Sequence, residues 1–309
     1  MFPLAARSGA GGRLVTFTVG GPVAVAYHPA VAGAEVVAQA LVAVIREGGR
    51  DAWTEALHEG SEAFDAAVVE RLRTTSLLVC VGGDGTVLRA AAFAAQAGVP
   101  IFGVRMGRLG FLTETIESDA LVDLRRVLDG EARLERHAML QARVDEAEPV
   151  HALNDVVIGR GTLGRTVSIG ASVDGVLLAE YRADALVIAT ATGSTGYALS
   201  VGGPILPPTS SEIIVVPVAP HLTRANPLVL PEGARLRLSV ERGDEALMTA
   251  DGLLHQPVQS GTVVEVTVSP RSVDFVRLGA ENQFYASLAR RLGWLRPDHV
   301  MEDPDGPAA

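Results

Sequence analysis

Leu77-Leu78-Val79-Cys80-Val81-Gly82-Gly83-Asp84-Gly85-Thr86-Val87-Leu88 opens as an unbroken apolar run and then sets one carboxylate among three glycines. Such a run marks a strand covered on both faces, as in a parallel sheet. Residues 87–97 then read as a helix ended by Gly98. Strand, glycine loop and helix in this order make a βα unit whose loop lies at the carboxyl end of the strand, where open α/β sheets bind ligands. Glycines permit positive φ and clear side chains from a ligand's path, so backbone N–H groups there can gather phosphate at the helix N-terminus.

Working outward, Val23-Ala24-Val25-Ala26-Tyr27 reads as a strand. An apolar helical face follows at Val36, Val37, Ala40, Leu41, Val44 and Ile45, closed by Gly48-Gly49. Residues 99–104 supply another strand. A further helix covers Ala120–Leu128, behind Ser118-Asp119 as caps and ahead of Asp129-Gly130. Alternating strands and helices predict a Rossmann-like, doubly wound α/β domain over residues 23–130, after a flexible N-terminus at 1–22. From residue 131 the apolar period becomes two, at Leu140, Ala142 and Val144, at Leu236, Leu238 and Val240, and at Val264, Val266 and Val268. Asp174-Gly175 between two apolar stretches is a hairpin signal. Residues 131–278 are therefore expected to form a mainly antiparallel β-sandwich, and 279–309 a C-terminal helix at 284–294 with an acidic tail at 301–309.

Composition narrows the function classes. With 309 residues, 48% of them hydrophobic, the chain can bury a substantial core. A formal charge of −10 argues against nonspecific nucleic-acid or anionic-membrane binding, which recruits clustered Lys and Arg. No apolar run is long enough to span a bilayer and the opening lacks a signal-peptide pattern, so the expected compartment is the cytoplasm. The single cysteine, Cys80, cannot form an internal disulfide. Seven His without HxxxH or CxxC spacing give no dedicated metal site, so any metal is expected to arrive with a substrate.

The glycine loop fails two common tests: Leu88 stands where a dinucleotide fingerprint has its third glycine, and no GK[ST] follows as in a Walker A loop. Two readings of Asp84 stand open on the loop alone: a turn residue, or a group that accepts a proton from a hydroxyl or faces Mg²⁺ on a polyphosphate. A second loop, Gly103-Val104-Arg105-Met106-Gly107-Arg108-Leu109-Gly110-Phe111-Leu112, combines three more glycines and two arginines with a flat aromatic ring after a buried strand. A third group comprises Leu153-Asn154-Asp155, Arg182-Ala183-Asp184 and Thr192-Gly193-Ser194-Thr195-Gly196-Tyr197-Ala198-Leu199-Ser200 with Gly202-Gly203-Pro204. It combines side chains able to read base edges and ribose hydroxyls with a small-residue cradle, or else is turn chemistry. Ser194 stands one place early for the GxSxG nucleophile elbow, and Tyr197 takes the place of its second glycine, so a serine hydrolase is rejected.

Taken in order, these motifs, together with Pro220-His221, Pro227-Leu228-Val229-Leu230 and the closing residues 288–294, make the chain resemble the NAD kinase family in its bacterial form. The GGDG core by itself is shared with diacylglycerol and sphingosine kinases; a lipid kinase and a non-catalytic NAD sensor are the alternatives. The resemblance implies phosphoryl transfer from ATP, or from polyphosphate, to the adenosine-ribose 2′-hydroxyl of NAD. It implies Asp84 as general base or orienting group. Gly82, Gly83, Gly85, Thr86 and Arg89 would hold donor phosphates with Mg²⁺ or another divalent cation. On the NAD side it implies Asp84, Gly85, Phe111, Asn154, Asp155, Asp184, Thr195, Gly196, Tyr197, Ser200 and Asp251, in a homodimer or homotetramer. Arg105-Met106, Ala183, Gly196 and residues 222–226 depart from the family's usual residues, and Arg105 bears most directly on the donor loop.

Overall fold

A computed structural model of the chain describes residues 16–58, 66–107, 110–162, 165–221, 226–241 and 245–294. Most of the expected flexible opening, together with Arg108-Leu109, residues 222–225 and the acidic tail at 301–309, lies outside these residues.

The strand Leu77–Gly82 is buried at every position and pairs in parallel with Val23–Tyr27 on one side and Ile101–Arg105 on the other. Because side chains alternate along a strand, Leu77, Val79 and Val81 face one layer and Leu78 and Cys80 the other. The first layer holds helices Ala34–Glu47 and Ala120–Leu128, through Leu41, Ile45, Leu124 and Val127. The second holds Ala66–Leu72 and Asp84–Ala97, through Leu72, Ala91 and Phe93. Burial pushes the Cys80 thiol up to about 12, which leaves it an inert core side chain.

Two local expectations are corrected, and one region gains elements. The glycine-loop helix begins at Asp84 rather than Val87, because Gly83 is extended and its carbonyl already accepts the Thr86 and Val87 amides. Neither expected cap of Ala120–Leu128 bonds the helix; the Ser118 hydroxyl donates to Asp119 instead. Ala52–Ala56 forms the parallel edge strand, and Ala66–Leu72 a short helix, where the sequence carried no clear period.

Beyond residue 131 pairing turns antiparallel. Ala132–Val144, Val263–Arg277, Leu236–Val240, Val167–Val173 and Val176–Ala183 extend the first sheet, while a second sheet of six strands is centred on Ala185–Ala189 and Asp155–Arg160. Leu140, Ile169, Leu238 and Val266 of one sheet pack against Ile158, Leu186, Ile188 and Met248 of the other, giving the sandwich core. Asp174 and Gly175 both have positive φ, 51° and 83°, as a two-residue hairpin requires. The fifteen-residue strand Val263–Arg277 joins the two regions, since Phe275 near its end lies in parallel beside Ile101. Around residue 131 the pairing changes but the sheet does not break. Among the described residues no helix is long and apolar enough to cross a membrane.

Candidate active site

Asp84 sits at the first position of its helix, where its own amide and that of Gly85 have no partner within the helix and the dipole is positive. Its carboxylate is also tied to the second glycine loop: Phe111 N–H donates to Oδ2 at 2.6 Å and Leu112 N–H to Oδ1 at 3.1 Å. Each oxygen keeps a further acceptor lone pair. The loops are braced again by Met106 N–H donating to the Gly82 carbonyl.

The glycines work by space rather than by left-handed backbone, for none of Gly82, Gly83 and Gly85 has positive φ. A Cβ at Gly82 would strike the buried Thr86 side chain, whereas at Gly83 or Gly85 it would meet nothing within 4 Å. That open ground lies at the helix N-terminus. Gly110 is needed for the opposite reason, because a Cβ there would run into the Asp84 carboxylate. Gly110→Ala is therefore expected to displace Asp84 and lower kcat by about a hundredfold while the far-ultraviolet circular dichroism stays unchanged. A variant turning over at the wild-type rate would show that Asp84's seating is not required.

The third group is knitted onto one turn. The Thr190 hydroxyl donates to the Leu153 carbonyl at 2.6 Å, Thr190 N–H to the Asn154 carbonyl, and Gly193 packs directly on the Asn154 backbone. The half-buried Asp251 carboxylate accepts N–H groups of Leu153, Asn154 and Asp155 at 2.8, 2.7 and 3.2 Å. Burial pushes Asp251 up to about 7 and Asp155 up to about 6; for Asp251 the three amides act in the other direction. Ser194 is a structural hydroxyl: it donates to the Ala191 carbonyl and accepts Leu206 N–H.

Phe111, Leu112, Arg105, Thr192 and Thr195 line one cavity of about 260 Å³, so the second glycine loop and the small-residue cradle converge there, and the first loop adjoins them through Asp84 on the Phe111 and Leu112 amides. Asn154 and Asp155 adjoin it through Gly193. Tyr197 and Ser200 are exposed on the single helical turn Tyr197–Ser200 that follows Gly196. Arg89 and Asp251 are not part of that cavity; they line a separate one of about 550 Å³ with His151 and Arg271, and Arg89 donates to the His58 carbonyl at 2.7 Å. Asp184 is also apart. It pairs with Arg160 at 2.9 Å and precedes Ala185–Ala189, whose other end meets Asp155, a separation of about 16 Å at 3.3 Å per residue.

A buried ionic network lining the first cavity carries no motif in the sequence. Glu135 accepts from Arg133 at 2.9 Å and Arg277 at 3.0 Å and bonds His137 Nε2 at 3.1 Å; His137 Nδ1 meets the Thr192 hydroxyl at 2.9 Å, and Arg277 reaches Glu114. Burial opposes the Glu135 charge, but its His137 and arginine neighbours hold it well below the usual carboxylate range. His137 is pushed down by burial, against the Glu135 carboxylate. The available signal was Glu135 and His137 alternating with exposed Arg136, in phase with buried Met139: charged groups on the inward face of a strand. Among the described residues no cluster of three His, Cys, Asp or Glu side chains could hold a metal.

With this geometry in hand, residues 52–132 match the family model described as the ATP-NAD kinase N-terminal domain, and residues 153–278 the one described as the ATP-NAD kinase C-terminal domain. A protein named NAD kinase from Dehalococcoides mccartyi is 33% identical over 275 residues, covering 87% of this chain and 95% of that relative. The chain belongs to the NAD kinase family. It is accordingly an enzyme, and the lipid-kinase reading of its GGDG loop falls away. Another NAD kinase, from Heliobacterium modesticaldum, is 40% identical over 228 residues, 72% of this chain and 80% of that relative. The fold of this NAD kinase family member is shared with a crystal structure of yeast NADH kinase complexed with NADH: TM-score 0.79, 20% identity, 92% of this chain and 90% of that one. An NAD kinase from Archaeoglobus fulgidus in complex with ATP gives a TM-score of 0.70 at 24% identity, covering 87% of this chain and 98% of that one.

Proposed function

We propose that the enzyme transfers the γ-phosphoryl group of Mg·ATP to the 2′-hydroxyl of the adenosine ribose of NAD, giving NADP and ADP. The observation that carries this reading is the Asp84 carboxylate, held by the amides of Phe111 and Leu112, two residues that line a cavity together with Thr192 and Thr195. In this scheme the ribose hydroxyl oxygen forms the new bond to phosphorus, its proton passes to Asp84, and the bond to the β-phosphate oxygen breaks. Such a reaction depends on positioning and charge neutralisation rather than on a covalent intermediate.

Gly83 and Gly85 leave room for donor phosphates beside the Asp84 and Gly85 amides, which have no partner within the helix. Mg²⁺ belongs to the donor and supplies charge neutralisation; Asp84, a single carboxylate, suits an ion otherwise held by phosphates and water. Phe111 and Thr195 would flank the adenosine, with Asn154 and Asp155 beside them. Asp251 acts by holding their turn. Asp184 would reach a nicotinamide end only from a second copy of the chain, because within one copy it stands at the wrong end of its strand. The test is a coupled assay of NADP formation with purified protein, Mg²⁺ and ATP or polyphosphate against NAD or NADH. Absence of NADP with every donor would overturn the reading.

A further inference from the structure

The terminal helix Gln283–Arg291 ends against the catalytic loop. The Arg291 guanidinium lies 3.5 Å from the centre of the Phe111 ring, and Phe111 is the residue whose N–H holds Asp84. Stacking fixes a planar guanidinium while leaving its edges free to donate. Arg291 Nε is buried without a hydrogen-bond partner, the only such side-chain atom among the described residues. Burial pushes Arg291 down to about 10, with Asp84 acting to raise it and Arg105 to lower it, so it is a cation at neutral pH.

Five arginines line the cavity at this point, and they divide into two sets. Arg133 and Arg277 are neutralised by Glu135 and Glu114. Arg105, Arg290 and Arg291 line the same cavity with no ion-pair partner among the described residues, and the charges of both Asp84 and Arg105 act on Arg291. Three like charges with only Asp84 near Arg291 to offset them favour a bound anion, and fixed guanidinium edges suit the oxygens of phosphate.

We propose that Arg291, with Arg105 and Arg290, binds the phosphates of a nucleotide polyphosphate beside Asp84, so that the terminal helix completes the phosphoryl-transfer site. The assignment rests on the function proposed above. Its ligand chemistry is a phosphate diester or triphosphate, which either the donor or the acceptor carries. A purely structural role would need only the ring contact.

Steady-state rates with ATP and NAD varied in turn, on the full chain and on Arg291→Gln and Arg291→Lys, test it, together with calorimetric binding of inorganic tripolyphosphate. Arg291→Gln is expected to raise one KM or lower kcat about tenfold and to weaken tripolyphosphate by a similar factor, with Arg291→Lys recovering part of each loss. A change confined to KM for ATP assigns the contact to the donor, and one confined to NAD to the acceptor; both uphold the site. Should Arg291→Gln melt early, Arg105→Gln, which lacks the ring contact, is judged by the same criteria. Rates and tripolyphosphate binding within about twofold of wild type would overturn the proposal. A wild-type chain that makes no NADP but binds tripolyphosphate through Arg291 would instead overturn only the function.

Discussion

Asp84→Asn is expected to lower kcat for NADP formation by about 10²–10⁴, the range over which a positioned general base acts. Asparagine keeps the shape but replaces one carboxylate oxygen by a donor, so it can no longer take the hydroxyl proton. It also points an NH₂ group at one of the two loop amides, Phe111 or Leu112, that now bond the carboxylate. Loss of that hydrogen bond has a local cost of about 1–3 kcal/mol. Calorimetric NAD affinity separates the two effects. A large fall in kcat with affinity within about threefold of wild type places the loss in the chemical step. If turnover stays within about tenfold of wild type, Asp84 is not the base.

Asp251→Ala is expected to destabilise the protein by about 3 kcal/mol, because three amide donors lose a half-buried acceptor together. Asp251 also has a φ of 54°, a left-handed conformation that Asp tolerates better than Ala. For a chain of this size the melting temperature should fall by roughly 5 °C. The same three bonds shape the turn at Asn154-Asp155, on which Thr190 and Gly193 rest. NAD affinity should therefore fall with stability, although Asp251 itself lines a different cavity. Thermal melts and NAD titration of one preparation check this. A melting temperature within about 1 °C of wild type would show that the turn holds without its acceptor.

Much of the scaffold was legible because its signals are local. The apolar run at Leu77–Gly82 demanded cover on both faces, and helices supply it there. Asp174-Gly175 demanded a turn with positive φ at two successive residues, and adopts it. Ala52–Ala56 was not legible, since an edge strand mixing Trp53, Thr54 and Glu55 has neither a continuous apolar run nor a clean alternation. Glu135 and His137 resembled polar positions of a period-two strand; only the packing of Val263–Arg277 and the loop at Glu114 against them turned that face inward.

The candidate site divides along the same line. Sequence by itself determined the chemistry on offer: one carboxylate among glycines, a second glycine loop with an aromatic ring, and a small-residue cradle. These depend on residue type and short spacing, which the covalent chain alone sets. Only the tertiary structure decided which of them meet. It seated Asp84 on the Phe111 and Leu112 amides, and it parted Asp184 from them by the length of a strand. It also turned Asp251 into a brace and brought Arg291 back onto Phe111 from the end of the chain. Contacts of that kind depend on how strands and helices pack across long sequence separations, so no local pattern encodes them.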